Sequence, residues 1–174
     1  MRLALASAAM IWFAAILIAP FAIGSRNPAS ATGAACVYVT GSFLCHQRPE
    51  RSFQLGGRQM PVCARCAGLY AAAAVAAPLA LFLVSASSFR FGPTSAMPAA
   101  RARWIAFTAA LPTIVTWLVE YVGSVRVSNT TRFVAALPLG FAVAWLVLGL
   151  FPHGSRSGTK AAKDTKNTKS SWSS

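Results

Sequence analysis

Long apolar runs, rather than the alternating or amphipathic patterns of a soluble domain, dominate this chain. Four of them are long enough to cross the roughly 30 Å hydrocarbon core of a bilayer as α-helices. They cover residues 3–24, 67–89, 104–125 and 133–151. The pattern predicts an all-α fold, an integral membrane bundle of four transmembrane helices within residues 1–152.

The first apolar run has two interpretations. Arg2 followed by apolar residues has the form of a secretory signal, and cleavage is then expected in the small-residue segment 31–35. The run is longer than the hydrophobic region of an ordinary signal, so we interpret it as a retained anchor.

Composition and charge agree with a membrane location. The sequence is 56% hydrophobic and 11% charged, with a mean hydropathy of +0.55. Its net charge of +13 lies in the loops and in a Gly-, Ser-, Thr- and Lys-rich segment, 153–174, which we interpret as a basic disordered tail. Because basic loops orient membrane proteins, lipid is the expected partner and nucleic acid is not.

The distribution of basic residues favours both termini in the cytoplasm and a multi-pass position in the inner (plasma) membrane. With four spans, segments 25–66 and 126–132 lie on one face of the membrane in either orientation. In the favoured orientation that face meets an oxidising compartment, where disulfides persist.

Four soft ligands occur close together in the first of these segments. Cys45 and His46 are followed, after a short basic stretch, by Cys63 and Cys66. Thiolate and imidazole groups suit a tetrahedral zinc ion, and the two-residue gap between Cys63 and Cys66 is typical of the chelating half of such a site. We therefore expect Cys45, His46, Cys63 and Cys66 to bind a metal, with zinc as the cofactor.

The Cys63–Cys66 pair also permits other interpretations. At a helix N-terminus the free N–H groups favour a thiolate, as in reversible disulfides. The protein would then be a membrane thiol–disulfide oxidoreductase with a quinone-like acceptor in the bundle. Unreactive structural thiols are a further alternative. No hydrolase triad, phosphate loop or dinucleotide motif is present to indicate another enzymatic activity.

Arg51, Arg65, Asn129 and Arg132 are candidates for binding a small anion. Guanidinium groups hold their charge and match carboxylate or phosphate geometry. A transporter or receptor for a small anion is therefore another alternative, although interfacial arginines also bind lipid phosphate. Asn129 offers a donor and an acceptor, or caps the last helix.

Glu120 is the only acidic residue in a predicted span. A carboxylate within a span is costly and usually points toward a partner or water. Arg126 is a nearby partner, and Arg65 and Arg132 are the alternatives. Glu120 is accordingly a candidate acid or proton carrier.

Two sequence strings carry a family resemblance. Residues 45–53 read Cys-His-Gln-Arg-Pro-Glu-Arg-Ser-Phe, and residues 61–70 read Pro-Val-Cys-Ala-Arg-Cys-Ala-Gly-Leu-Tyr. They resemble the signature of a prokaryotic membrane-protein family, domain of unknown function 2085. The Ser-Asn-x-x-Arg run at residues 128–132 is similar to a second element of that family. The resemblance implies an integral membrane protein and supplies no established activity.

This sequence departs from the family pattern at a few positions. Ala67 stands where members tend to carry Thr, and Val134 and Ala135 stand where a Thr-Gly pair is usual. Cys36 has no counterpart in the pattern, so we exclude it from the site.

Overall fold

A computed structural model describes residues 1–86, 98–123 and 125–150. Its elements are five helices, one 3₁₀ turn (Pro49–Arg51) and a two-stranded sheet. In chain order they are α1 (Arg2–Ala22), α2 (Pro28–Leu44), β1 (Ser52–Leu55), β2 (Arg58–Cys63), α3 (Ala64–Ala86), α4 (Ala99–Tyr121) and α5 (Asn129–Leu150). The predicted tail, 153–174, lies outside the described residues.

Four helices, α1, α3, α4 and α5, are long and apolar enough to cross a membrane, with mean hydropathies between 1.4 and 2.3. The predicted four-span, all-α class is confirmed. Helices α3, α4 and α5 begin three to five residues before the predicted spans, at Ala64, Ala99 and Asn129. The added first turns contain arginines, which lower local hydropathy yet are stable at a membrane boundary or beside a partner.

Helix α2 was not anticipated in the segment between the first two spans. Its start is nonetheless encoded, because the Asn27 side chain accepts a hydrogen bond from the Ala29 amide at 3.0 Å. Pro28 follows at the first helical position, where its missing N–H costs nothing. The segment is therefore a folded cap on the bundle rather than an irregular loop.

Strands β1 and β2 form an antiparallel hairpin that leads directly into α3. Gly56 and Gly57 form its two-residue turn, with φ values of 57° and 74°. Two consecutive positive φ values are characteristic of the type I′ turn, which favours glycine. Beneath the hairpin, Ile16, Met60 and Val62 form a buried apolar cluster with Cys45 and Ala67.

Helices α3 and α5 pack closely along the centre of the bundle. A side chain at Gly68 would collide with the backbone carbonyl of Phe133, and one at Gly140 with the carbonyl of Leu69. Small residues at such positions let two helices approach by direct van der Waals contact. This contact fixes the start of α3 beside the start of α5, where the candidate site lies.

Candidate metal centre

Three cysteines from different elements meet at one end of the bundle. Cys45 is the C-cap of α2, Cys63 is the last residue of β2, and Cys66 lies in the first turn of α3. Their sulfur atoms all lie within 4.8 Å of one another. Cys45 is buried, whereas Cys63 and Cys66 are half-buried.

Gln47 holds the backbone that carries Cys45 in place. Its side-chain amide donates to the carbonyls of Tyr38 at 2.7 Å and Pro61 at 2.8 Å. The Gln59 side chain donates in turn to the Gln47 carbonyl. Gln47 adopts a φ of 47°, a conformation that non-glycine residues rarely adopt, so these bonds must offset its strain. They tie the end of α2 to the hairpin and place Cys45 opposite Cys63.

Hydrogen bonds around the sulfurs favour the thiolate form of Cys63. The Cys63 amide donates to the Cys45 sulfur at 3.2 Å. Hydrogen bonding from Cys66 lowers the pKa of the Cys63 thiol to about 5, although burial opposes the shift. Thiolates are the form of cysteine that binds metals and attacks disulfides.

The spacing of the three sulfurs is close to that of a metal centre. At a zinc–sulfur distance of about 2.3 Å, tetrahedral geometry separates two sulfurs by about 3.8 Å. Because every pair here lies within 4.8 Å, contraction by about 1 Å or less would bring all three to bonding distance. The arrangement can therefore hold one ion without rearrangement of the fold.

His46, the fourth predicted ligand, and Cys36, which the sequence excluded from the site, both lie outside the sulfur cluster. His46 is exposed and lines the same cavity as the cysteines. In the part of the chain that the structure describes, its nitrogens are not among the ligand atoms within 4.8 Å of one another. Cys36 is an exposed residue of α2 and stands apart from the cluster.

A cavity of about 440 Å³ opens beside the sulfurs. Four arginines contribute to its wall, together with the aromatic ring of Trp117 on α4. The arginines are Arg48, Arg51, Arg65 and Arg132. Sequence reasoning identified the last three but missed Arg48 and Trp117.

Glu120 lies between two of these arginines. Its carboxylate accepts from Arg65 Nη2 at 3.0 Å and from Arg132 Nε at 2.6 Å. The Glu120 side chain is only 8% exposed, so this is a largely buried triad. The sequence suggested three arginine partners for Glu120. Glu120 pairs with Arg65 and Arg132, and not with Arg126.

Asn129 connects this triad to the hairpin. Its oxygen accepts from Arg132 at 2.5 Å, and its nitrogen donates to the Ser52 carbonyl at 3.0 Å. Ser128, one residue earlier, caps α5 by accepting from the Thr131 amide at 3.1 Å. Segment 126–132 thus contacts the segment 25–66 directly, which agrees with the shared face that four spans predict.

Together, the fold and the site define a polytopic membrane protein with a cysteine cluster and an arginine-lined cavity at one end of its bundle. The sequence model of one family, described as "Predicted membrane protein (DUF2085)", matches residues 45–146. The chain belongs to that family. The matched range contains the three clustered cysteines, Glu120 and Arg132.

Two archaeal proteins are similar to this chain. An uncharacterised protein of Methanocaldococcus jannaschii is 28% identical over 144 residues, which are 82% of this chain and 86% of the relative. An uncharacterised protein of Methanothermobacter thermautotrophicus is 30% identical over 104 residues, 60% of this chain and 84% of the relative. No solved structure matches the chain.

Proposed function

We propose that the protein binds one zinc ion with Cys45, Cys63, Cys66 and His46, and that this centre secures the cap formed by α2 and the hairpin to the bundle. The observation that carries the proposal is the convergence of three sulfurs, from three elements, within 4.8 Å. Soft thiolate ligands in a tetrahedral set favour zinc over hard cations such as magnesium or calcium.

His46 supplies the fourth ligand in this proposal. It follows Cys45 directly and lines the same cavity as the three cysteines. The hydrogen bond from the Cys63 amide to the Cys45 sulfur further supports the proposal, because donors that contact a ligand atom orient and stabilise it for a metal.

Metal analysis of detergent-purified protein tests the proposal. We expect about one zinc ion per chain, with X-ray absorption indicating mainly sulfur ligation. Cys63→Ser should lose the metal, whereas Cys36→Ser, a matched change on an exposed cysteine outside the cluster, should retain it. Wild-type protein that contains no metal and has four freely alkylated thiols would exclude the centre.

A thiol–disulfide oxidoreductase is the second candidate function. The sulfur atoms of Cys63 and Cys66 lie within 4.8 Å of each other, and a disulfide couple requires such neighbours. Formation of the disulfide releases two electrons and two protons, and a quinone accepts both to become a quinol. Cys45 is then positioned as an exchange partner.

Redox equilibration separates the two functions. Metal-free protein is equilibrated with thiol buffers of stepped potential, and the remaining thiols are then alkylated and counted. A Cys63–Cys66 disulfide that forms reversibly between about −270 and −120 mV, the range of known exchange proteins, would favour the oxidoreductase. A pair that stays reduced throughout this range would exclude it.

A further inference from the structure

The cavity beside the cysteines carries more positive charge than its surroundings neutralise. Four guanidinium groups line it, and none of its lining residues is acidic. Glu120 does not line the cavity, but it accepts hydrogen bonds from Arg65 and Arg132, so a single negative charge is shared between two positive ones.

The two remaining arginines are weakly compensated. Arg48 lies 3.9 Å from Glu50, and both side chains are at least 60% exposed, which makes this pair weak. Among the residues that the structure describes, no side chain forms a hydrogen bond or ion pair with the guanidinium of Arg51. Arg51 is half-buried and lines this cavity and a neighbouring one of about 560 Å³.

Arg65 adds a buried donor without an acceptor. Its Nη2 binds Glu120, whereas its Nε is buried and has no hydrogen-bond partner. An unsatisfied buried donor is costly, and a ligand oxygen in the adjoining cavity would remove that cost. Because Arg65 also lines the cavity, it contributes an unsatisfied donor there in addition to its charge.

We propose that this cavity binds a phosphate group, with Arg51 as the principal ligand and Arg65 Nε and Arg48 as further donors. Phosphate carries up to two negative charges and several acceptor oxygens, which suits several guanidiniums better than a single carboxylate does. The volume of about 440 Å³ also leaves room for an organic group attached to the phosphate. A soluble phosphate ester and a phospholipid headgroup share this chemistry.

Calorimetric titration of the full chain in a neutral detergent at low ionic strength tests the proposal. The two probes are inorganic phosphate and dihexanoyl phosphatidic acid. Saturable binding of inorganic phosphate would identify a soluble ligand, and saturable binding of the phosphatidic acid alone would identify a lipid headgroup. If neither probe saturates, the proposal is wrong.

Arginine variants locate the binding. Arg51→Gln should weaken it by about ten- to a hundredfold, as expected for a lost charged hydrogen bond. Arg26→Gln removes the same charge from an exposed position that lines none of the described cavities, so its affinity should stay within about twofold. Equal losses in both variants would indicate non-specific charge attraction and would refute the site. Arg48→Gln, at an exposed side chain, provides the same test with a smaller expected loss if Arg51→Gln does not fold.

The metal centre and the phosphate site can fail separately. The arginine variants keep every sulfur, so their metal content should equal that of the wild type. Cys63→Ser removes a metal ligand but no guanidinium, and it should still bind the phosphate probe. Loss of phosphate binding in Cys63→Ser would show that the anion site depends on the metal centre, and would refute a site formed by the arginines alone.

Discussion

Neutralising Glu120 is the most direct test of the buried triad. Its carboxylate is 8% exposed and accepts from Arg132 at 2.6 Å and from Arg65 at 3.0 Å. Removing one partner from a buried ion pair costs about 3–5 kcal/mol, because the remaining charge stays buried without compensation. Gln retains the shape and one acceptor oxygen, so we expect Glu120→Gln to lower the free energy of unfolding by about 3 kcal/mol.

Equilibrium unfolding in mixed micelles of dodecyl maltoside and SDS, followed by tryptophan fluorescence, measures this change. Glu50→Gln is the matched control, because Glu50 is 63% exposed and lies 3.9 Å from Arg48. An exposed pair of this type contributes between zero and about 1 kcal/mol. If Glu120→Gln costs no more than Glu50→Gln, the triad does not contribute to stability and the reasoning from burial is wrong.

Three further predictions concern packing, the cap and orientation. Gly140→Val should abolish recovery of folded protein in gel filtration, because the new side chain would collide with the α3 backbone. Gly33→Val is the control and should elute normally, because no packed neighbour lies within 4 Å of a Cβ atom built at Gly33. Tyr38→Phe should lower the free energy of unfolding by about 1 kcal/mol, because it removes the hydroxyl that donates to the Gln59 carbonyl. Burial raises the pKa of Tyr38, so the neutral hydroxyl stabilises the fold below about pH 10. This stabilisation is lost as the pH rises through the folded-state pKa. The free energy of unfolding of Tyr38→Phe should therefore fall less at alkaline pH than that of the wild type. A membrane-impermeant maleimide should label exposed Cys36 on intact cells and should not label Cys36→Ser, and labelling only after lysis would reverse the orientation.

Hydropathy predicted the four membrane helices but not the structured segment between the first two. The signals for that segment were local and polar: Asn27 before Pro28 for the start of α2, and Gly56-Gly57 for the hairpin turn. A search for apolar runs long enough to span a membrane does not detect helix caps or turn residues. The same search placed the starts of three helices too late because it discounts arginines in a first turn.

The candidate site was predictable only in part. Spacing alone associates Cys63 with Cys66, since two intervening residues place both sulfurs at one helix start. The position of Cys45 depends on the hydrogen bonds of Gln47, whose unusual φ no spacing rule predicts. A carboxylate in a span indicated a partner for Glu120, but the choice of partner depends on how the helices are rotated about their axes.

The triad also sets an order for assembly in the membrane. Arg65 and Glu120 are 55 residues apart, and a chain synthesised from its N-terminus completes the cysteine cluster before α4 and α5 exist. Arg65 is therefore at the bilayer without its acid while α3 inserts, and the later insertion of α4 supplies it. Because the Arg65–Glu120 pair joins the second and third spans, separating these spans in lipid would leave both charges unpaired, which favours their association.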